Sequence, residues 1–358
     1  MNRTEAVKQV AFENNKIDGL LVFNSSNLTW LTGFYGASAM LIPRTGESVV
    51  YVHGVNYAQA EAELSGFRVE LVKHGENMMD KIAKQASALN TKRLAADALG
   101  VESWRALSER LGSEKTLEVD SGFLRELRKV KDETEIKLMR RAGELTSWGM
   151  RVAGEVVAAG LKEYEVAAEI EYAMRKKGSS GTAFETIVAS GLASAFPHGG
   201  CSDREIREGD LVVVDVGATY RFYRSDMTRT FVAGKPSEEQ KKLYEVVRAA
   251  QKKAVEAMKP NVEAKDVDAA ARKVIADAGY GEYFVHGLGH GVGLDIHEPP
   301  TLSPDSEDVL AAGNVVTVEP GIYIVGYGGI RIEDTVLVQK KGTEKLTNGP
   351  YALGKEYL

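Results

Sequence analysis

Two rhythms of apolar residues run along the chain, and they separate helices from strands. Ile136, Met139, Ala142 and Leu145 recur every third residue, which predicts one long helix from Glu133 to Val157. Further helices are predicted from Tyr164 to Lys177, before Gly178-Ser-Ser-Gly181, from Glu238 to Met258, and from Ala264 to Ala278, before Gly279. Nearer the start, an amphipathic helix from Arg3 to Asn15 leads into the strand Gly19-Leu-Leu-Val-Phe23. Asn24-Ser-Ser-Asn27 offers helix-capping side chains before Leu28-Thr-Trp-Leu-Thr-Gly33. Ala39–Ile42 and Ser48–Val52 read as a hairpin around Pro43-Arg-Thr-Gly46, with further strands at Arg68–Val72 and Arg93–Asp97. Residues 1–125 therefore read as a small α/β domain, and 126–358 as a second, larger one. Between them the run Arg125-Glu-Leu-Arg-Lys-Val-Lys-Asp132 reads as a solvated charged face.

The larger domain contains a repeat. One piece reads Glu208-Gly209-Asp210-Leu-Val-Val-Val-Asp215-Val-Gly217, the other Ala312-Gly313-Asn314-Val-Val-Thr-Val-Glu319-Pro-Gly321. The pairs Gly209/Gly313, Asp215/Glu319 and Gly217/Gly321 share one offset of 104 residues. Each piece is followed by a second acidic strand, Ser225-Asp226-Met-Thr-Arg-Thr-Phe-Val and Arg331-Ile-Glu333-Asp-Thr-Val-Leu-Val. The apolar runs before Asp215 and Glu319 look like strands buried on both faces, where an unpaired carboxylate is costly. Four converging acids call for more positive charge than one Arg or Lys provides, and two divalent cations would balance them.

Between the hairpins lies Phe284-Val-His286-Gly-Leu-Gly-His290-Gly-Val-Gly-Leu-Asp-Ile-His297-Glu-Pro-Pro. Four of the six histidines fall at 198, 286, 290 and 297, and imidazole is a common ligand of divalent metals. The interleaved glycines argue against a helix here. They also lack the G-x-G-x-x-G order of a dinucleotide-binding turn.

In order and context, Asp215, Asp226, His290, Glu319 and Glu333 resemble the five metal ligands of the pita-bread metallopeptidases, which include methionine aminopeptidase, aminopeptidase P and prolidase. Ile187-Val-Ala-Ser-Gly191, Pro197-His198-Gly, Gly289-His-Gly-Val-Gly293, His297-Glu-Pro-Pro, Glu319-Pro-Gly-Ile-Tyr323 and Arg331-Ile-Glu333-Asp resemble the proline-specific branch, and prolidases (Xaa-Pro dipeptidases) of archaea and bacteria above all. The likeness covers roughly 127–340, and more weakly the N-terminal part, which resembles the smaller domain of creatinases. The implied fold is α+β: a curved antiparallel sheet with pseudo-two-fold symmetry, backed by helices, with a creatinase-like α/β domain before it.

The resemblance implies two divalent ions per subunit, manganese or cobalt first and iron or zinc as alternatives. It implies His198 and His297 at the substrate and the tetrahedral intermediate, with His286 on the cleft wall. Glu319 is implied in proton transfer, and Arg331 as a catalytic or substrate-binding residue, two residues before Glu333 on one strand face. The expected reaction is hydrolysis of the bond between an N-terminal residue and proline, by a homodimer whose substrate is a peptide with proline second. Aminopeptidase P, which takes longer peptides, is the alternative. Methionine aminopeptidase usually lacks the extra domain, creatinase lacks the ligands, and a non-catalytic binding module would typically have lost some of them. Leu192-Ala193 departs from the polar residues relatives often carry, which bears on substrate preference.

Composition adds limits. The 358 residues suit two domains. A net charge of −6 gives no reason to expect nucleic acid or an anionic membrane as partner. The lone Cys201 excludes an intrachain disulfide and suits a reducing cytosol, and no signal-peptide core or membrane-length apolar run is present, so a cytoplasmic enzyme is expected. Cys201 lies three residues after His198, without a clear orienting partner, and reads as incidental. His53 and His74 stand beside single glycines and read as strand-end residues; Trp30, Phe34 and Tyr35 are either cleft-edge or core aromatics.

Overall fold

The computed structural model describes residues 3–13, 16–120 and 122–354, and the chain divides into two compact units, Met1–Leu127 and Arg128–Leu358. The first unit opens with α1 (Arg3–Phe12); the predicted end of that helix at Asn15 lies outside the described residues. Its six strands are β1 (Gly19–Val22), β2 (Ala39–Pro43), β3 (Val49–His53), β4 (Arg68–Val72), β5 (Arg93–Ala96) and β6 (Thr116–Val119), in spatial order β4-β3-β2-β1-β5-β6. The short turn makes β2 and β3 antiparallel, whereas β3–β4 and β5–β6 are parallel because α3 (Gly54–Glu63) and α5 (Val101–Leu111) carry the chain back between them. α2 (Ser25–Thr32) starts as its capping signal predicts: the Asn24 side chain accepts from the amides of Ser26 and Asn27, and the helix stops at Gly33 with φ 73°. α4 (Met78–Ala88) lies between β4 and β5. His53 closes β3, Trp30 and Phe34 are buried, and Tyr35 is exposed.

α6 (Phe123–Arg128) ends at the division, and the second unit is built twice over. In its first half, α7 (Glu133–Val156) and α8 (Glu163–Lys176) are followed by β7 (Gly181–Thr182), β8 (Ile187–Ser190), β9 (Leu211–Val216), β10 (Ala218–Tyr220), β11 (Tyr223–Arg224) and β12 (Met227–Val232). In its second half, α9 (Glu238–Ala257) and α10 (Ala264–Asp277) are followed by β13 (Gly289–Gly291), β14 (Glu298–Leu302), β15 (Val315–Val318), β16 (Gly321–Ile324), β17 (Gly328–Arg331), β18 (Asp334–Val338) and β19 (Thr343–Lys345). The predicted helices of this unit hold to within a residue at each end. Asp132 caps α7 through a capping box with Glu135, and Ser237 caps α9 through one with Gln240.

Each half has its own sheet and core. β12-β9-β8 is covered by α7 and α8 through residues such as Leu145, Ile170, Val212 and Val214; β14-β13-β15-β18-β19 is covered by α9 and α10 through Val247, Val267, Val316 and Val336. The two sheets meet along β12 and the segment before β18. There the Glu333 amide donates to the Thr228 carbonyl, the Thr228 hydroxyl to Glu333 Oε2 at 2.6 Å, and the Thr335 hydroxyl to the Asp226 carbonyl at 2.8 Å. One backbone bond and two threonine hydroxyls thus bridge the seam, and the expected curved antiparallel arrangement is assembled from two halves joined there. The join is pseudo-two-fold: Thr228 and Thr335 each follow an acid by two residues, and each bonds the other half's acidic residue.

One expectation fails. The charged run 125–132 is only partly solvated: Arg128 and Lys131 are 2% and 4% exposed, because two acids of the second unit, Asp295 and Glu298, meet them inside it.

Candidate metal centre

Asp215 lies near the end of β9, with its Cα opposite that of Thr228 on β12. Asp226 immediately precedes β12, Glu319 follows β15, and Glu333 precedes β18. Each acid thus sits where a strand of a hairpin begins or ends, beside the seam. His290 is the centre of β13, a strand that must run close to its neighbour: a Cβ on Gly289 would lie 2.2 Å from the Thr317 carbonyl oxygen. All five side chains line one cavity of about 690 Å³, together with His198, His286, His297 and Arg331.

Asp226, His290 and Glu333 each offer a ligand atom within 4.8 Å of the others. His290 Nε2 is 3.3 Å from Glu319 Oε1 and 3.7 Å from Asp226 Oδ2. Its Nδ1 lies 3.1 Å from the Gly291 carbonyl, which can only accept, so Nδ1 carries a proton and Nε2 is the nitrogen aimed at the acids; burial disfavours the charged ring, but Glu319 outweighs burial and raises its pKa. Asp215 Oδ2 accepts from Arg331 at 2.7 Å. Asp215 Oδ1, Asp226 Oδ1 and Glu333 Oε1 are buried with no hydrogen-bond partner among the described residues. Three orphaned carboxylate oxygens in one pocket are costly for a native structure and mark where a cation fits.

Electrostatics agree with that fit. Burial first, then repulsion from Glu333, Asp215 and Glu319, pushes the Asp226 carboxyl well above its usual range. Burial, then Glu319 and Asp215, does the same to Glu333. Burial also raises Asp215, against the pull of Arg331. Glu319 goes the other way: burial would raise it, but the hydrogen bond and charge of protonated His290, with the Arg331 guanidinium, outweigh burial and hold it well below the usual range. The protein's own cations are too few to keep all four acids charged. An oxygen-rich set with one imidazole suits a divalent first-row cation.

Arg331 is buried and fully engaged. Besides Asp215 it donates to the Tyr323 hydroxyl at 3.0 Å, the Thr228 hydroxyl at 3.0 Å and the Pro197 carbonyl at 3.2 Å. His286 donates from Nδ1 to the Gly287 carbonyl, so its Nε2, 3.0 Å from the Tyr323 oxygen, accepts from that hydroxyl; burial lowers its pKa and keeps it neutral. His297 and His198 are exposed on the cavity wall. The His290 and His297 rings stand edge to face at 4.3 Å, and burial followed by the proximity of His290 lowers the pKa of His297.

Sequence reasoning missed Tyr323, Thr228 and Thr335. The two threonines had a signal, since each follows its acid by two residues. Tyr323 had only its place in a motif. Tyr223 and Arg224 turn elsewhere, to Glu135 and to the Ala183 carbonyl. Cys201 is half-buried, and burial pushes its thiol up to about 11, far from thiolate chemistry at neutral pH. Leu192 is exposed and lines a different hollow, with Arg204, Arg207 and Tyr327.

Comparison with known proteins decides the class. Residues 137–340 match the family model described as metallopeptidase family M24, and residues 5–130 match the creatinase/prolidase N-terminal domain. The chain belongs to metallopeptidase family M24. It is a hydrolase with the pita-bread fold, of a family that implies divalent metal ions. The Xaa-Pro dipeptidase of Pyrococcus horikoshii is 43% identical to it over 96% of this chain and 97% of that protein. Among solved structures, an Xaa-Pro dipeptidase from Bacillus anthracis superposes with a TM-score of 0.93 at 37% identity, covering 98% of this chain and 99% of its own. An X-Pro aminopeptidase from Thermotoga maritima gives 0.88 at 36% identity, over 98% and 99%. Among the described residues, no helix is long and apolar enough to cross a membrane.

Proposed function

We propose that the chain is an Xaa-Pro dipeptidase in which Asp215, Asp226, His290, Glu319 and Glu333 hold two divalent ions, manganese or cobalt in the first instance. The observation that carries this reading is the three buried, unpartnered oxygens of Asp215, Asp226 and Glu333, residues that line one cavity with His290. The high identity to a dipeptidase along nearly the whole chain supports the substrate.

When bound, such ions supply Lewis acidity, lowering the pKa of water and polarising a carbonyl. The chain's own residues do the rest. Glu319, held ionised by its neighbours, accepts the proton of the attacking water and delivers it to the departing proline nitrogen. His297 and His198 donate hydrogen bonds to the carbonyl oxygen as its charge develops. Arg331 fixes Asp215 and, through Tyr323, the neutral His286 on the cavity wall. A peptide bond to proline has no N–H, so the site needs no acceptor for one. A cytoplasmic homodimer belongs to the same proposal, and size-exclusion chromatography with light scattering tests the dimer.

The likeness to the Thermotoga X-Pro aminopeptidase supports a second reading, in which longer peptides are cleaved. Incubating the manganese-loaded protein with Ala-Pro and with Ala-Pro-Ala separates the two. Alanine released from the dipeptide alone is the expected result. Release from the tripeptide as well, or instead, establishes the aminopeptidase reading. Release from neither overturns both.

A further inference from the structure

A buried ion cluster of the second unit lies directly behind His297. Glu298, the next residue, is 4% exposed and bound on both carboxylate oxygens. Lys131 Nζ is 2.7 Å from Oε1, and Arg128 Nη2 donates to Oε2. Arg128 Nη2 also reaches Asp295 Oδ2 at 2.8 Å, and the Asp295 amide donates to Glu298 Oε2 at 3.3 Å. A Cβ on Gly293 would come within 2.5 Å of Glu298 Oε1, so the turn 293–298 is folded tightly over this carboxylate. Lys131 is itself anchored, its amide donating to the Gly313 carbonyl at 2.9 Å.

Two cations and two acids balance in charge, but burying them costs several kcal/mol of desolvation per ion, roughly what their mutual attraction returns. Hydrophobic residues would fill the same space at less cost. What the cluster adds is direction. Glu298 is fixed at both oxygens, and the residue before it must then turn its side chain to the cavity, where the His297 ring meets His290 edge to face at 4.3 Å.

We propose that Lys131 and Arg128 are positioning residues that act through Glu298 to aim the His297 imidazole at the reacting carbonyl. This rests on the role of His297 in the proposed peptidase. The positioning itself is a property of the fold and can be read without turnover.

The test is Lys131→Met, which keeps the length of the side chain and leaves Arg128 paired with Glu298. Kinetics on Ala-Pro are measured in the wild-type and His297→Ala backgrounds, with metal content and Tm recorded. Partners that orient an active-site ligand are worth about 10–100-fold. The expected result is a roughly tenfold fall in kcat with little change in KM and full metal content, recovery in Lys131→Arg, and no further loss when Lys131→Met is added to His297→Ala. Losses that multiply across the two backgrounds, or an unchanged kcat, overturn the proposal. If Lys131→Met does not fold, Asp295→Asn, at the half-exposed edge of the cluster, replaces it with the same criteria. Independently of turnover, the His297 ring signal in the NMR spectrum of the zinc-loaded, histidine-labelled chain shifts in Lys131→Met while those of His53 and His74 stay put. A His297 signal that does not move overturns the positioning, whereas a wild-type chain that cleaves no Xaa-Pro peptide removes only the peptidase reading.

Discussion

Replacing Asp226 by asparagine changes the sign of its effect on stability according to whether metal is bound. Asp226 is buried, and one of its oxygens lies within 4.8 Å of a Glu333 oxygen. Two unit charges at about that separation repel by roughly 3.5 kcal/mol at an effective dielectric constant of about 20. The metal-free protein relieves part of this by protonation, so Asp226→Asn recovers about 1–3 kcal/mol of stability at neutral pH. For a domain of this size 1 kcal/mol moves Tm by about 2–4 °C. With metal the order inverts. The wild type gains RT ln(1 + [M]/Kd), about 2.7 kcal/mol at 100 times Kd, which the variant largely forfeits. The pH dependence follows from the raised carboxyl. Well below the ordinary value of 3.8 the acid is neutral in both the folded and the unfolded chain, and the variant has no advantage. The advantage grows as pH rises from the ordinary value of 3.8 toward the raised one, then stays level. Differential scanning calorimetry of EDTA-treated protein from about pH 3 to 8, and of manganese-loaded protein at neutral pH, reads all of this. A variant that lowers Tm equally with and without metal would refute the reasoning, since Asp226 would then be an ordinary hydrogen-bonded structural acid.

Glu163 accepts four hydrogen bonds, from the amides and hydroxyls of Ser190 and Ser202, and so pins both ends of the segment that carries His198. Glu163→Gln is expected to cost about 2 kcal/mol in urea unfolding and to lower kcat/KM on Ala-Pro. Gly217→Ala places a Cβ 2.1 Å from the Ser225 carbonyl oxygen, between Asp215 and Asp226. It is expected to cost about 3 kcal/mol or more and to lower bound metal measured by atomic emission. In the first unit the Tyr51 hydroxyl is buried without a hydrogen-bond partner among the described residues, so Tyr51→Phe is expected to raise stability by about 1 kcal/mol in thermal unfolding.

The repeat was legible because both halves write the same sentence: a Gly turn, an apolar strand, an acid, a second Gly. The structure keeps that order and alters its register. Asp215 stands within β9, opposite Thr228, whereas Glu319 comes after β15 has ended at Val318, where Pro320 cannot donate to a ladder. Eleven residues separate the first pair of acids and fourteen the second, so the second hairpin carries the longer extension, β16 and β17. That extension brings Tyr323 to Arg331 and His286, a meeting no spacing announces because its members come from separate strands and a loop.

The run 125–132 was misread for a related reason. A charged residue is read as solvated unless its partner is visible, and the partners of Arg128 and Lys131 lie 167 to 170 residues downstream, at Asp295 and Glu298. In the sequence, Glu298 looked like part of a motif around His297 and nothing more. A buried acid needs a cation, and the chain supplies two of them from the segment that ends one family match and precedes the other. The same rule that made Asp215, Asp226, Glu319 and Glu333 readable as a metal centre therefore applies to Glu298, with a different answer. Four acids around an imidazole exceed the charge that the protein's side chains can offer and point to divalent ions. One acid between a lysine and an arginine is already balanced, and what it determines is where its neighbour His297 points.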